Sequence, residues 1–387
     1  MGTAFNGKAL KDARLARGYT LIELSKMINV SKQAISQYEA NINPPKAEVL
    51  MRIINTLKFP RYYFYSDMGN RFEGNTFFRA NSSATNRLRD MQKIRANWIA
   101  HIRDYLEKFI TFPELNLPDL SNYEDSIWDD VSIEHLAAHV RSYWGLSDKP
   151  ITNLINVLEK NGIIVSSIKL DSDNVDAFCQ FRQPDKAMIV LAEDKESAVR
   201  RQFDAAHELG HILMHKFDVD NQTELPKEQF KLMEAQADKF ASCFLLTEST
   251  FRKSIEITST TIQGFIELKK IWNVSIGAMV RRSRDLGLIS ESRYTSIQKQ
   301  MSMKKMRKRE PLDEIIEISE PNLLKRGIIM LIDAKVKTKA DIVEEIMLPS
   351  EEIEILCSLD EKYLTVVEHE AVLSLKSNKD LSESVIG

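Results

Sequence analysis

The pentapeptide His207-Glu208-Leu209-Gly210-His211 constrains the fold of this chain more than any other segment. Two side chains four positions apart on an α-helix differ by about 40° in azimuth and about 6 Å in rise, so both imidazoles face one point only on a continuous helix. There they can share one zinc ion through bonds of about 2.0–2.1 Å. Glu208 lies about 100° round from His207. Its carboxylate then stands beside the ion, placed to take a proton from an attacking water and to hand it later to a leaving amine. The flanking Phe203, Ala205, Ala206, Ile212 and Leu213 are apolar, which predicts a buried helix. Histidines at this spacing also arise by chance on amphipathic helices, as ordinary core or surface groups, so the choice turns on a third ligand.

Residues 228–246 have helical periodicity, with Phe230, Met233, Ala237, Phe240 and Phe244 in one stripe. Glu234 and Asp238 lie four apart on the edge of that stripe. One carboxylate can bind zinc while the other holds a ligating histidine by its free N–H. Asp238 and His215 compete with Glu234 for the third position. On a continuous helix His215 lies about 12 Å along the axis from His207. That span favours Glu234 as the ligand and leaves Asp238 and His215 as supporting groups around it.

With 387 residues, 43% hydrophobic and 28% charged, the chain has room for two or three globular domains. It contains no apolar run of about 18 residues, so no membrane span is expected. Its start lacks the apolar core of a signal peptide. Cys179, Cys243 and Cys357 are widely spaced and fit no disulfide framework, which points to a reducing cytoplasm and to plain packing roles. Charge is unevenly spread. Residues 7–65 hold ten Lys and Arg against four Asp and Glu, whereas residues 310–387 hold eight against eighteen. A basic head attracts phosphate backbones and an acidic tail does not, although charge alone also fits two solvated faces.

The basic head reads as short helices. Leu10, Ala13 and Leu15 open one apolar face, and Leu21, Leu24, Ile28 and Val30 mark a second helix and the turn after it. Ser31 stands where an N-cap belongs, ahead of Ala34, Ile35 and Tyr38 in a third helix. In such an arrangement the last helix enters the major groove. Ser31, Lys32, Gln33, Ser36 and Gln37 would then face DNA, with Gln suited to adenine and Lys to guanine or phosphate. A helical bundle used for dimerisation is the competing interpretation. On the residues Leu10, Ala13-Arg14, Gly18-Tyr19-Thr20, Glu23-Leu24, Val30-Ser31, Ile35-Ser36, Tyr38-Glu39, Pro44, Leu50 and Leu57, the head resembles the phage-repressor-like (XRE-type) helix-turn-helix family. Ala40-Asn41 replaces a glycine after the third helix, and Asn tolerates the left-handed conformation.

The middle resembles the ImmA/IrrE family of metallopeptidases, which pairs a His-Glu-x-x-His helix with a later helix of the type Glu-x-x-Ala-[Asn/Asp]-x-Phe-Ala. The matching segments are residues 203–215, with the zinc motif, and Met233-Glu234-Ala235-Gln236-Ala237-Asp238-Lys239-Phe240-Ala241. The resemblance extends over about residues 7–312. It includes Phe77-Phe78-Arg79 with Trp98 and Tyr105 as a connecting helix, and Trp272-Asn273-Val274-Ser275 in a closing helical part. It implies zinc on His207, His211 and Glu234, Glu208 as general base, and cleavage of a repressor protein in phage-like, stress-response or toxin–antitoxin settings. Asp204, the step from Leu246 to Thr247 and the basic run at residues 303–309 depart from the family pattern. Beyond about residue 315 the chain resembles nothing named.

The expected fold is α+β. A helix-turn-helix domain at 7–65 is followed by a linker and connecting helix at 66–120. A zincin-like metallopeptidase domain with a small sheet follows at 121–312, and an acidic helical region of unknown role at 313–387. Strands are expected at Ile163–Ile168, Asp176–Phe181 and Ala187–Leu191. Thr76–Ala84 reads as linker, and breaks in the helical run are expected near Asp218–Pro226 and Thr247–Thr260. The expected function is a cytoplasmic DNA-binding regulator with a zinc-dependent endopeptidase. Its partners would be double-stranded DNA and a repressor or toxin-type protein, with a homodimer as one arrangement. The alternative is a repressor or antitoxin whose peptidase-like fold holds a partner without cleaving it.

Overall fold

Short apolar runs gather between residues 163 and 192, and there the computed structural model has three of the four strands of its sheet. The structure describes residues 4–66, 75–78, 86–123, 128–168, 177–182, 186–193, 197–215 and 226–365. Strands β1 (Asn75–Phe78), β2 (Ile163–Ile168), β3 (Ala177–Arg182) and β4 (Lys186–Ala192) form one sheet in the order β1-β3-β4-β2. β2 and β4 run parallel, and β3 is antiparallel to both β1 and β4. β2 and β4 are buried on both faces, which explains why they read as nearly unbroken apolar runs. β1 was not expected: the sequence reads there as linker and as the start of a connecting helix. Residues 79–85 lie outside the described residues.

The period-two alternation of the strands divides the interior into two cores. On one face Ile163, Val165, Cys179, Ile189 and Leu191 pack toward helices α6 (Asp130–Tyr143), α7 (Leu154–Lys160), α8 (Ala198–Met214) and α9 (Lys227–Leu245). The same core takes in α10 (Glu248–Glu256), α11 (Ile262–Trp272), α12 (Ile276–Asp285) and α13 (Glu291–Met303). α10 fills most of the expected break at 247–260, burying Phe251 and Ile255. Most of the break expected at 218–226 lies outside the described residues. Buried Lys269 bonds Glu310 at 3.0 Å and Asp313 at 2.6 Å. Glu310 in turn accepts from the first backbone amides of α12, Ile276 at 2.8 Å and Gly277 at 3.0 Å. The Glu310-Pro311 step therefore closes this part of the molecule.

The opposite sheet face, with Ile164, Phe178, Met188 and Val190, shares its core with both ends of the chain. The head supplies α1 (Gly7–Ala16), α2 (Leu21–Met27), α3 (Lys32–Glu39) and α4 (Ala47–Leu57), joined by the connecting helix α5 (Asn86–Leu106). The acidic region supplies α14 (Leu323–Asp333), α15 (Lys339–Ile346) and α16 (Ser350–Leu356), close to the helices expected there. Glu159 at the end of α7 accepts from the backbone amides of Asn322 and Leu323, both at 2.9 Å, capping α14 from outside. α14 crosses α5 at Gly327, where Leu106 stands 3.1 Å from the position of an added β-carbon. Tyr105 donates to Glu345 at 3.0 Å, Ser166 donates to the carbonyl of Leu356 at 2.8 Å, and Arg17 pairs with buried Glu352. Among the described residues, no helix is long and apolar enough to cross a membrane.

Candidate functional site

α8 is buried nearly throughout, because Ala205, Ala206, Leu209, Ile212 and Leu213 pack in the core with the sheet and α9. Gly210 lets the two helices meet: a β-carbon there would come within 3.1 Å of Phe240 and 3.3 Å of Ala237. This close approach sets the α9 carboxylates against the α8 histidines. The Nε2 atoms of His207 and His211 are 3.0 Å apart. Glu234 brings Oε1 to 3.3 Å from His211 Nε2 and Oε2 to 3.7 Å from His207 Nε2. Tetrahedral coordination with bonds of about 2.0–2.1 Å puts ligand atoms roughly 3.3 Å apart, in the middle of this range. His207, His211 and Glu234 are thus brought together as a group able to hold a metal ion.

The surrounding hydrogen bonds fix what the two rings present to that point. His207 turns Nδ1 to Asp238 Oδ1 at 2.8 Å, so Nδ1 carries the proton and Nε2 is bare. His211 turns Nδ1 to His215 Nδ1 at 2.8 Å. α8 ends at Met214, and His215 leaves the helical conformation at the C-cap (φ −114°, ψ 59°). That break swings His215 behind His211 rather than toward the ligand cluster, so of the two competitors for the third position neither His215 nor Asp238 joins the group. Burial pushes the His215 imidazole down from 6.5 to about 4, the opposing influence of Gln236 notwithstanding, which keeps the ring neutral. The two Nε2 atoms stand 3.0 Å apart with a carboxylate beside them, and this donor set of two imidazoles and a carboxylate suits zinc.

Glu208 is fully buried and lies outside the ligand group. It adjoins the thiol of Cys179 on β3, which burial, followed by the neighbouring Glu208 charge, raises well above the ordinary range. Cys243 and Cys357 are also buried and form no disulfide, and Cys243 donates to Glu134 at 3.0 Å.

Two neighbours of the centre have no counterpart in the residues singled out from sequence. Gln236 accepts through Oε1 from His215 Nε2 at 3.0 Å and donates through Nε2 to the Trp128 carbonyl at 2.9 Å. Trp128 also donates its indole N–H to the carbonyl of Met214 at 3.2 Å, pinning the end of α8. A polar residue on the edge of an apolar stripe gives no signal for Gln236, and a backbone carbonyl gives none at all.

In the head, Thr20 and Glu23 form a capping box on α2, and Ser31 caps α3 by accepting from Ala34 at 3.0 Å. Asn41 takes the left-handed conformation (φ 55°) and accepts from the Gly7 amide at 2.7 Å. Arg14 grips Glu39 with two bonds of 2.6 and 2.8 Å, tying α1 to the end of α3. Ile35 is buried, while Ser31, Lys32, Gln33 and Ser36 are exposed and Gln37 is partly so. The five residues expected to face DNA therefore occupy the outer side of α3 and its cap.

Residues 10–64 match the helix-turn-helix family model, and residues 158–284 match a peptidase family described as the IrrE N-terminal-like domain. The second match spans β2 through α12 and includes every member of the ligand group. No curated protein matches the chain.

Proposed function

We propose that this chain is a cytoplasmic transcriptional regulator that binds double-stranded DNA through residues 7–65 and hydrolyses a protein partner at a zinc centre within residues 121–312. The ligands are His207, His211 and Glu234, and Glu208 is the general base. The partner is of the repressor or toxin–antitoxin type. The observation that carries this reading is the convergence of three lone-pair donors beside a buried carboxylate that is not one of them. A scaffold that only held a partner would have no use for that fourth group.

Bound zinc would supply Lewis acidity toward the scissile carbonyl and the attacking water. Glu208 accepts the proton of that water as it attacks the carbonyl carbon, and returns it to the amine as the C–N bond breaks. Asp238 and His215 hold the two imidazoles with their Nε2 atoms toward the centre. On the head, the outer side of α3 offers Gln33 and Gln37 to base edges, with Ser31, Lys32 and Ser36 beside them.

Glu208→Gln tests the catalytic half. The amide nearly keeps the shape of the carboxylate but cannot take up a proton. The variant should retain zinc and fold while partner cleavage falls by about 10²–10⁴-fold, followed on a blot of a candidate repressor or toxin in cells. Equal partner loss in wild type and variant would instead favour the non-catalytic scaffold.

A further inference from the structure

Behind His211 the hydrogen bonds continue two residues beyond its own partner, His215. The chain of contacts starts at a group with only one option, the backbone carbonyl of Trp128, which can only accept. Gln236 donates to it through Nε2 at 2.9 Å. The reverse orientation of the amide would set oxygen against oxygen. Gln236 Oε1 is therefore turned to His215 Nε2, 3.0 Å away, and that nitrogen must carry the hydrogen. An imidazole with its hydrogen on Nε2 accepts at its other nitrogen, so Nδ1 of His215 is an acceptor. It lies 2.8 Å from Nδ1 of His211, which must then donate. His211 is left with a bare Nε2, the atom 3.3 Å from Glu234 and 3.0 Å from His207 Nε2.

We propose that Gln236 is a positioning residue for the metal centre: acting through His215, it fixes which nitrogen of His211 faces the ion. The inference rests on the reading of the centre as metal-binding. His207 reaches the same state by a shorter route, directly from the carboxylate of Asp238. The two ligands thus differ in kind. One is oriented by a charged acceptor, the other by a relay that begins at a neutral amide and a fixed carbonyl. A neutral relay orients His211 without placing a second negative charge behind the centre, which already has Glu234, Glu208 and Asp238 around it. It also ties the centre to the segment leading into α6, because the carbonyl that sets the direction belongs to Trp128.

The test uses the full chain labelled with ¹⁵N-histidine. Long-range ¹H–¹⁵N spectra report which ring nitrogen carries hydrogen, a property that loss of packing alone does not set. In the zinc-loaded wild type, His215 should be the Nε2–H form and His211 the Nδ1–H form. Gln236→Leu should release His215 from that form and weaken zinc binding by about 10–100-fold, measured by chelator competition. Gln236→Glu keeps an acceptor opposite His215 Nε2 and should restore the wild-type spectrum, while its second oxygen, set against the Trp128 carbonyl, leaves the affinity between those of Gln236→Leu and wild type. Wild-type His215 in the Nδ1–H form would overturn the proposal, and so would Gln236→Leu with unchanged affinity and spectrum. If Gln236→Leu fails to fold, the wild-type spectrum and Gln236→Glu still decide. Failure of the wild type to bind zinc would overturn the metal reading instead, and His215 in the zinc-free chain would still report the relay separately.

Discussion

A buried imidazole that accepts a hydrogen bond must stay neutral, and His215 shows the consequence for stability. Burial lowers its value in the folded chain to about 4, against 6.5 when exposed. As pH falls, the unfolded chain therefore takes up the proton before the folded one does. The stability this group contributes is complete above about pH 6.5 and declines as pH falls toward about 4. Denaturant unfolding of the zinc-free protein should show a larger loss between pH 7 and pH 5 for wild type than for His215→Phe, which has no proton to gain. Parallel losses would mean that His215 is not held neutral. The pair Glu234 and Asp238 shows how much a single residue reveals in sequence. Their spacing on one stripe edge, and the His207–His211 spacing, were legible because both depend only on helix geometry. The placing of His215 was less so: it depends on α8 ending at Met214, and no Gly or Pro marks that end.

At the scale of elements, legibility follows how local the cause is. α3 could be read from Ser31 and the apolar pattern behind it, since the cap and the stripe lie within the helix itself. α8 and α9 could be read from their apolar pattern alone, since neither has a side-chain cap. β1 could not, because a four-residue strand is defined by its partner β3, and nothing within residues 75–78 announces that pairing. α10 was hidden by a polar surface that left only Phe251 and Ile255 to bury. The outer side of α3 makes a specific expectation for DNA. Gln33→Ala should cost about 1–3 kcal/mol on an operator selected from genomic fragments, with less effect on non-cognate duplex. Wild-type affinity should also fall as salt rises, because Lys and Arg contacts release counterions. Salt-independent binding, or a Gln33→Ala loss equal on all sequences, would speak against α3 as the reading helix.

For the whole molecule, the largest departure from expectation is the place of the acidic region. The sequence separates it from the basic head by more than 200 residues. The structure packs α14–α16 into the same core as the head, α5 and one face of the sheet. Burial of apolar surface at long sequence separation leaves no periodic trace beyond the helices themselves, so its role was not legible. A chain ending at residue 321 should exchange backbone hydrogens faster in α5 and β2 and should melt at a lower temperature than the full chain. Unchanged exchange there would show that the region is dispensable to the core. The other face of the same sheet backs the candidate ligand group, so that group and the helix-turn-helix head are supported by one framework. The central claim is that this framework holds a metal ion, and native mass spectrometry of the purified full chain with metal analysis tests it most directly. The account predicts about one zinc per chain in wild type and its loss in His207→Ala and Glu234→Gln. A wild-type chain free of zinc, or a Glu234→Gln chain that keeps it as wild type does, would contradict the account.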